Sequence, residues 1–343
     1  MDWINKMLSR KFGIEIEFIN ADRTVLVNAL RAEGISCAYE GYNHTTRNHW
    51  KIVTDATVAG GYELVSPPLQ GEEGLLEVKR VLTIMHENKR NSDMELVNRS
   101  CGLHVHLDAS DLDGTDVYWI VKRYRDNETS IDKWMPPSRR GDYRWCESLN
   151  SSWNVNLMNA MNTIEANARQ QFSRTSKVNV KHAYARHGTI EFRHHAGSTD
   201  YNKIANWIEF LQGFVAQCIK IKSAFKFKHD YKPRAKSKSY ASLREQFALA
   251  GGKLKYVGGS KWKIINHVGE EFFKTSEELS SIYDPSLANG RNFVMFKIEF
   301  DALVWELFGE QTNQDSDESL FAGVPHHVQE FFRMRTTQLE RTA

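Results

Sequence analysis

Four short stretches of this chain place ionisable side chains on alternate positions with apolar residues between them. They are Gly13-Ile14-Glu15-Ile16-Glu17-Phe18, Gly61-Tyr62-Glu63-Leu64-Val65, Gly102-Leu103-His104-Val105-His106-Leu107 and Thr189-Ile190-Glu191-Phe192-Arg193. On a strand, side chains alternate between two faces. Glu15 and Glu17 then share a face about 7 Å apart, as do His104 with His106 and Glu191 with Arg193. Paired carboxylates facing inward repel unless a cation lies between them, and hard cations such as Mg²⁺ take carboxylate oxygens. An arginine fork on the same surface suits a phosphate oxygen. Acids, histidines and an arginine together are what a metal–phosphate site needs. By the same alternation His194 falls on the apolar side, and His195 follows Arg193 onto the charged face, in reach of a ligand.

The elements that must carry these residues can be read from pattern and punctuation. A strand is expected over 11–19. A helix follows over 22–34, with Val25, Leu26, Ala29 and Leu30 on one stripe and Gly34 placed to end it,. Short strands are expected at 50–53 and 62–65, the second stopped by Ser66-Pro67-Pro68,. Helices are expected over 71–88, 116–125 and 204–221. Beyond Lys220 the chain becomes lysine-rich up to Ser239, with Asp230 its one acid. This reads as a helix end running into an exposed linker, with a domain boundary near 235. The division is then 1–234 for a main domain and 235–343 for a small accessory α+β region. The latter should hold a helix at 240–249, a hairpin at 253–266, a strand at 293–300 and a polar loop at 311–319.

Composition sets bounds without choosing a function. Of 343 residues, 41% are hydrophobic and 26% charged, and the net charge is +2. That suits a globular chain with a sizeable core. No apolar run is long enough to span a bilayer, so no membrane partner is expected. The four cysteines, Cys37, Cys101, Cys146 and Cys218, form no CxxC pair. They fit reduced thiols and a cytoplasmic setting.

Taken in order, the motifs G-x-E-x-E-F, W-x-x-x-x-D-x-x-V, Y-E-L-V-S-P-P-L, C-G-L-H-V-H-L-D and G-T-I-E-F-R-x-H-x-G-S resemble the amidoligase family over about residues 10–215. That family belongs to the glutamine synthetase-like carboxylate–amine ligases. The resemblance implies an α+β fold: a curved antiparallel sheet with helices on its convex face, and ATP with Mg²⁺ on the concave face. It implies that a carboxylate is activated as an acyl phosphate and passed to an amine, so that the partners are a carboxylate and an amine substrate. The amine could belong to a small molecule, a peptide or a modified nucleobase. Glu15, Glu17, Glu63, His104 and Glu191 would bind metal, with Glu63 also at the reacting groups. His106 and Arg193 would meet the nucleotide phosphates, and Asp55 would orient or deprotonate the amine. Arg140-Gly-Asp-Tyr-Arg144 with Ser148-Leu149-Asn150 resembles the family's R-Y-x-x-L-N element at wider spacing. It implies nucleotide contacts for Arg144 and Asn150.

Two rival readings follow from the residues. The same acids and histidines could hold zinc in a hydrolase that uses no nucleotide. The lysines of 220–263, interleaved with Ile, Phe and Tyr, could bind nucleic acid, making the chain a nucleic-acid- or protein-binding module on an inactive ligase fold.

Overall fold

The computed structural model describes residues 10–55, 58, 60–112, 114–141, 144–152, 173–181, 183, 188–224, 253–265, 271–275, 278–279, 320–321 and 323–341. The helix expected at 240–249, the strand at 293–300, the loop at 311–319 and most of the basic linker lie outside these residues. Two compact units emerge, one of residues Met1–Asn154, Ile164–Ala216 and Phe321–Ala343, the other of Val155–Thr163 and Gln217–Leu320.

The first unit mixes α and β elements around a large, mostly antiparallel sheet. Its elements are β1 (Phe12–Phe18), α1 (Arg23–Ala32), β2 (Cys37–Gly41), β3 (Trp50–Thr54), β4 (Tyr62–Val65), α2 (Gly71–Glu87), β5 (Gly102–Asp108), α3 (Gly114–Asp126), α4 (Glu128–Asp132), α5 (Leu149–Ser152), β6 (Val178–Asn179), β7 (Thr189–Ala196), α6 (Tyr201–Ala224, with its residues up to Ala216 in this unit) and α7 (His326–Arg341). The seven strands run in the order β2-β3-β4-β1-β5-β7-β6. Among the described strands the one parallel pair is β2 with β3. Sequence pattern missed β2: Cys37-Ala-Tyr-Glu-Gly is short and has no clean alternation.

Local chemistry accounts for the element ends. The Asp22 carboxylate accepts hydrogen bonds from the Thr24 and Val25 amides, capping α1,. Gly34 adopts φ +75°, the left-handed turn that lets the chain leave that helix,.

The apolar halves of the alternating strands form the core. Ile14, Ile16, Leu103, Val105, Leu107, Ile190 and Phe192 are all buried. Helices cover this side. Gly74 of α2 lies so near Phe12 that a Cβ there would sit 3.2 Å from its ring. Tyr124 of α3 lies 5.7 Å from the Phe192 ring. The last helix, α7, belongs to the same core. Phe332 stacks on Trp134 at 4.4 Å, and Phe210 of α6 meets the Trp134 ring edge-on at 5.0 Å. Composition gave no sign that the C-terminal helix returns to the first unit.

A β-bulge in β7 breaks the alternation. Val105 pairs with Phe192 but Leu103 pairs with His195, so two residues, Arg193 and His194, oppose His104,. The extra residue turns His195 to the core side, where its ring packs 5.5 Å from Trp207 of α6. The expectation that His195 shares the face of Arg193 is therefore corrected: strict period two holds only up to the bulge. His194 is buried on the helix side, as expected.

Burial has a consequence for acid stability. It holds the His195 imidazole at about 3, well below its ordinary value. The unfolded chain takes up a proton near pH 6.5 that the native chain refuses, so stability is full above that pH and falls as pH drops toward 3. A loss of about 2 kcal/mol between pH 7 and pH 5 is expected from this residue alone. Urea midpoints at the two pH values check it: His195→Phe should flatten the slope, and an unchanged slope would exclude His195 as the source.

The second unit is described through β8 (Lys253–Gly258), β9 (Lys261–Ile265) and β10 (Glu271–Thr275), an antiparallel sheet in the order β10-β9-β8. The hairpin expected at 253–266 is β8 and β9. Leu254, Trp262 and Ile264 are buried, while Lys253, Lys255 and Lys261 are exposed.

Candidate active site

The charged halves of β4, β1, β5 and β7 lie side by side, because these four strands are neighbours in the sheet. Register does the rest. Glu15 is opposite His104, Glu17 opposite Glu63, and His106 opposite Glu191. Four short motifs far apart in sequence thus become one surface, which lines a cleft of about 780 Å³.

His104 sits at the centre. Its Nδ1 is 3.2 Å from Glu15 Oε2, 3.6 Å from Glu191 Oε1 and 3.9 Å from Glu63 Oε1; its Nε2 is 3.8 Å from Glu17 Oε1. Glu17 is fixed from behind: its Oε2 accepts the Gly102 amide at 2.6 Å. Only glycine allows this approach, since a Cβ at 102 would lie 2.9 Å from His104 Nε2. Asn179 of β6 donates to Glu191 Oε2 at 2.7 Å, and Arg193 pairs with Glu191 Oε1.

Three overlapping sets of donor atoms lie close enough to share a cation: Glu15, His106 and Glu191; Glu15, Glu63 and His104; Glu17, Asp55 and Glu63. The electrostatics fit cations there. Burial, and then the charges of Glu15, Asp55 and Glu17, push the Glu63 carboxyl well above the usual range. Burial would raise Glu15 and Glu191 too. It is outweighed at Glu15 by His106 and His104, and at Glu191 by Arg193 and the two histidines, so both carboxyls are lowered. His106 Nε2 is 3.2 Å from Glu15 Oε1 but lacks hydrogen-bond alignment, leaving a buried nitrogen without a bonded partner among the described residues. Each donor set is rich in oxygen and contains at most one histidine. That favours a hard cation such as Mg²⁺ over zinc, which takes nitrogen and sulfur.

Of the residues singled out from sequence, Glu15, Glu17, Asp55, Glu63, His104, His106, Glu191 and Arg193 all line this cleft. Arg144 and Asn150 do not line it. Both are exposed, and the Arg144 guanidinium stacks 4.7 Å over the Trp145 ring. Among the described residues, the arginines that do reach the cleft wall besides Arg193 are Arg47, Arg139 and Arg174, with Lys11, Lys51 and Lys181. Arg139 is 3% exposed; it donates to the Cys101 carbonyl at 2.8 Å, and its Nε has no partner among the described residues. Lys51 is buried, with Nζ bonded to Asn43 Oδ1, Asn43 O and Thr45 O, which ties the 41–49 loop to the sheet. Neither Arg139 nor Lys51 lies in an alternating charged strand, so sequence pattern gave Lys51 no role and marked Arg139 only by charge, as one of several arginines suited to an acidic acceptor. The preceding Pro136-Pro137, which forces a tight turn, was the one local signal at Arg139.

This surface agrees with what the chain resembles. Residues 8–215 match the model of a family described as "Putative amidoligase enzyme". The match spans more than half of the chain, and the chain belongs to this family. Its class is that of the carboxylate–amine ligases. No match was found among curated proteins. Among solved structures the chain is similar to one titled "Crystal structure of the complex between Prokaryotic Ubiquitin-like Protein Pup and its Ligase PafA", at 13% identity and a TM-score of 0.32. That alignment covers 98% of this chain and 64% of the other. A likeness so low carries no argument about fold or substrate. None of these comparisons supports nucleic-acid binding through 220–263. No helix among the described residues is long and apolar enough to cross a membrane.

Proposed function

We propose that this amidoligase joins a carboxylate to an amine at the expense of ATP, with Mg²⁺ held by Glu15, Glu17, Glu63, His104, His106, Asp55 and Glu191. The observation that carries the reading is the convergence of these groups into three overlapping, oxygen-rich donor sets beside half-buried Arg193. Bound Mg²⁺ would neutralise and align phosphate oxygens.

The chain's own groups would do the following. Arg193, held by Glu191, and Arg139, whose Nε has no partner among the described residues, would hold phosphate oxygens as charge shifts during transfer,. A carboxylate oxygen of the first substrate attacks the γ-phosphorus, the bond to the β–γ bridging oxygen breaks, and ADP leaves. The amine then attacks the acyl carbon and inorganic phosphate departs. Asp55, at the cleft wall beside Glu17 and Glu63, would take the proton the amine must lose,. The four buried free thiols suit a reducing setting such as the cytoplasm,. The family match ends at residue 215. Substrate choice is therefore proposed to draw on the second unit, including sequence beyond about residue 235.

ADP release measured with candidate carboxylate and amine pairs tests this. Arg193→Ala should lower the rate by about a hundredfold or more. An unchanged rate in that variant would overturn the reading, and stoichiometric zinc in active protein would favour the hydrolase.

A further inference from the structure

Behind the cleft, on the helix side of β7, lies a cluster of buried charges that the ligase chemistry does not use. Lys177 is 0% exposed, and its Nζ donates to Glu128 Oε1 and to Asp132 Oδ1, both at 2.7 Å. His194 is 0% exposed. Its Nε2 lies 2.7 Å from the same Asp132 Oδ1, and its Nδ1 lies 2.9 Å from the Tyr124 hydroxyl. With the hydroxyl donating to Nδ1, Nε2–H donates to the carboxylate, which fixes the neutral tautomer.

Such a cluster is a costly way to fill a core. Apolar residues of the same volume often serve stability as well or better, and buried charge is best explained where it specifies an arrangement. Here the arrangement is that of the bulge. The Arg193 amide donates to the Lys177 carbonyl at 2.9 Å. Asp132 Oδ1 therefore binds the side chains of both residues that hold Arg193: Lys177, which accepts its amide, and His194, its neighbour in the chain. The other oxygen, Oδ2, accepts the Gly141 amide at 2.9 Å. Glu128 Oε2 accepts the Leu149 amide at 2.8 Å. Those two bonds pin both ends of the segment that follows Arg139.

The geometry points to Asp132 as a positioning residue that aims the Arg193 guanidinium into the cleft from the opposite side of the sheet. It touches no reacting atom. It holds the backbone on either side of the bulge, and so fixes where Arg193 meets Glu191 and where its Nε stands. The consequence for turnover rests on the ligase reading above, whereas the consequence for Arg193 does not.

The test uses the full chain without ligand. The Nε–H resonance of Arg193 is identified by its loss in Arg193→Lys, then followed in Asp132→Asn and His194→Ala. The second variant leaves the Lys177–Asp132–Glu128 charges paired, so it should fold even if the first does not. The expected result is a shifted or exchange-broadened Arg193 signal in each folded variant. The rate of ADP release should fall about ten- to a hundredfold at a temperature where the variant is fully folded. In an Arg193→Ala background, Asp132→Asn should cause little further loss. A merely structural role would lower the unfolding midpoint and leave the Arg193 signal in place, and that outcome would overturn the inference. If the signal moves while the unaltered chain releases no ADP with any substrate pair, the ligase reading fails and the positioning role stands.

Discussion

Glu15→Gln should reduce ADP release by about a thousandfold while leaving the fold intact. Glu15 belongs to two of the three donor sets and faces both histidines. Removing its charge takes a ligand from two cation positions at once, and each electrostatic contact at a phosphoryl-transfer site contributes about 10²–10³ in rate. The strand does not depend on that charge. Ile14 and Ile16, on either side of it, are fully buried and make the core contacts. The variant should therefore keep its unfolding midpoint within a few degrees. Burial and then Glu15 are the leading causes that raise the Glu63 carboxyl, so that carboxyl should titrate lower once Glu15 is neutral. Steady-state ADP release and calorimetric titration with Mg²⁺ check the two halves. Full activity with intact Mg²⁺ affinity would exclude Glu15 from the site.

Phe332→Ala should cost about 3–5 kcal/mol of unfolding free energy, a loss on the scale of total domain stability. Phe332 is 2% exposed and stacks on Trp134 at 4.4 Å, with Phe210 at 5.6 Å and Trp207 at 6.2 Å around it. Truncation removes a large apolar side chain and leaves a cavity among rings that cannot easily close over it. Urea denaturation followed by tryptophan fluorescence reads the change, because Trp134 and Trp207 lie against the deleted ring. A loss below 1 kcal/mol would mean that α7 does not contribute to this core. The effect should spread to activity only through the folded fraction, since none of these rings lines the cleft.

These two residues differ in how legible they were. Glu15 stood out in the sequence because an alternating strand puts its chemistry and its core on opposite faces, and each half reports on the other. The same holds for Glu17, Glu63, His104, His106, Glu191 and Arg193. Phe332 carried no such sign, because packing between helices far apart in sequence leaves no periodic trace of its partner. Arg144 and Asn150 were chosen by likeness to a short element at altered spacing, and the chain places Arg139 at the cleft wall instead.

What the sequence by itself determined is the four charged strands β1, β4, β5 and β7 and, up to the bulge in β7, which of their side chains share a face. Backbone geometry makes that a local property, true before any strand finds a neighbour. What only the tertiary structure decided is the strand order and the register. Those set Glu15 against His104, and Glu17 against Glu63, turning four separate motifs into one donor surface. It also decided the bulge that turns His195 to the core instead of the face of Arg193. A bulge depends on pairing between strands, so period-two reading of one strand cannot find it.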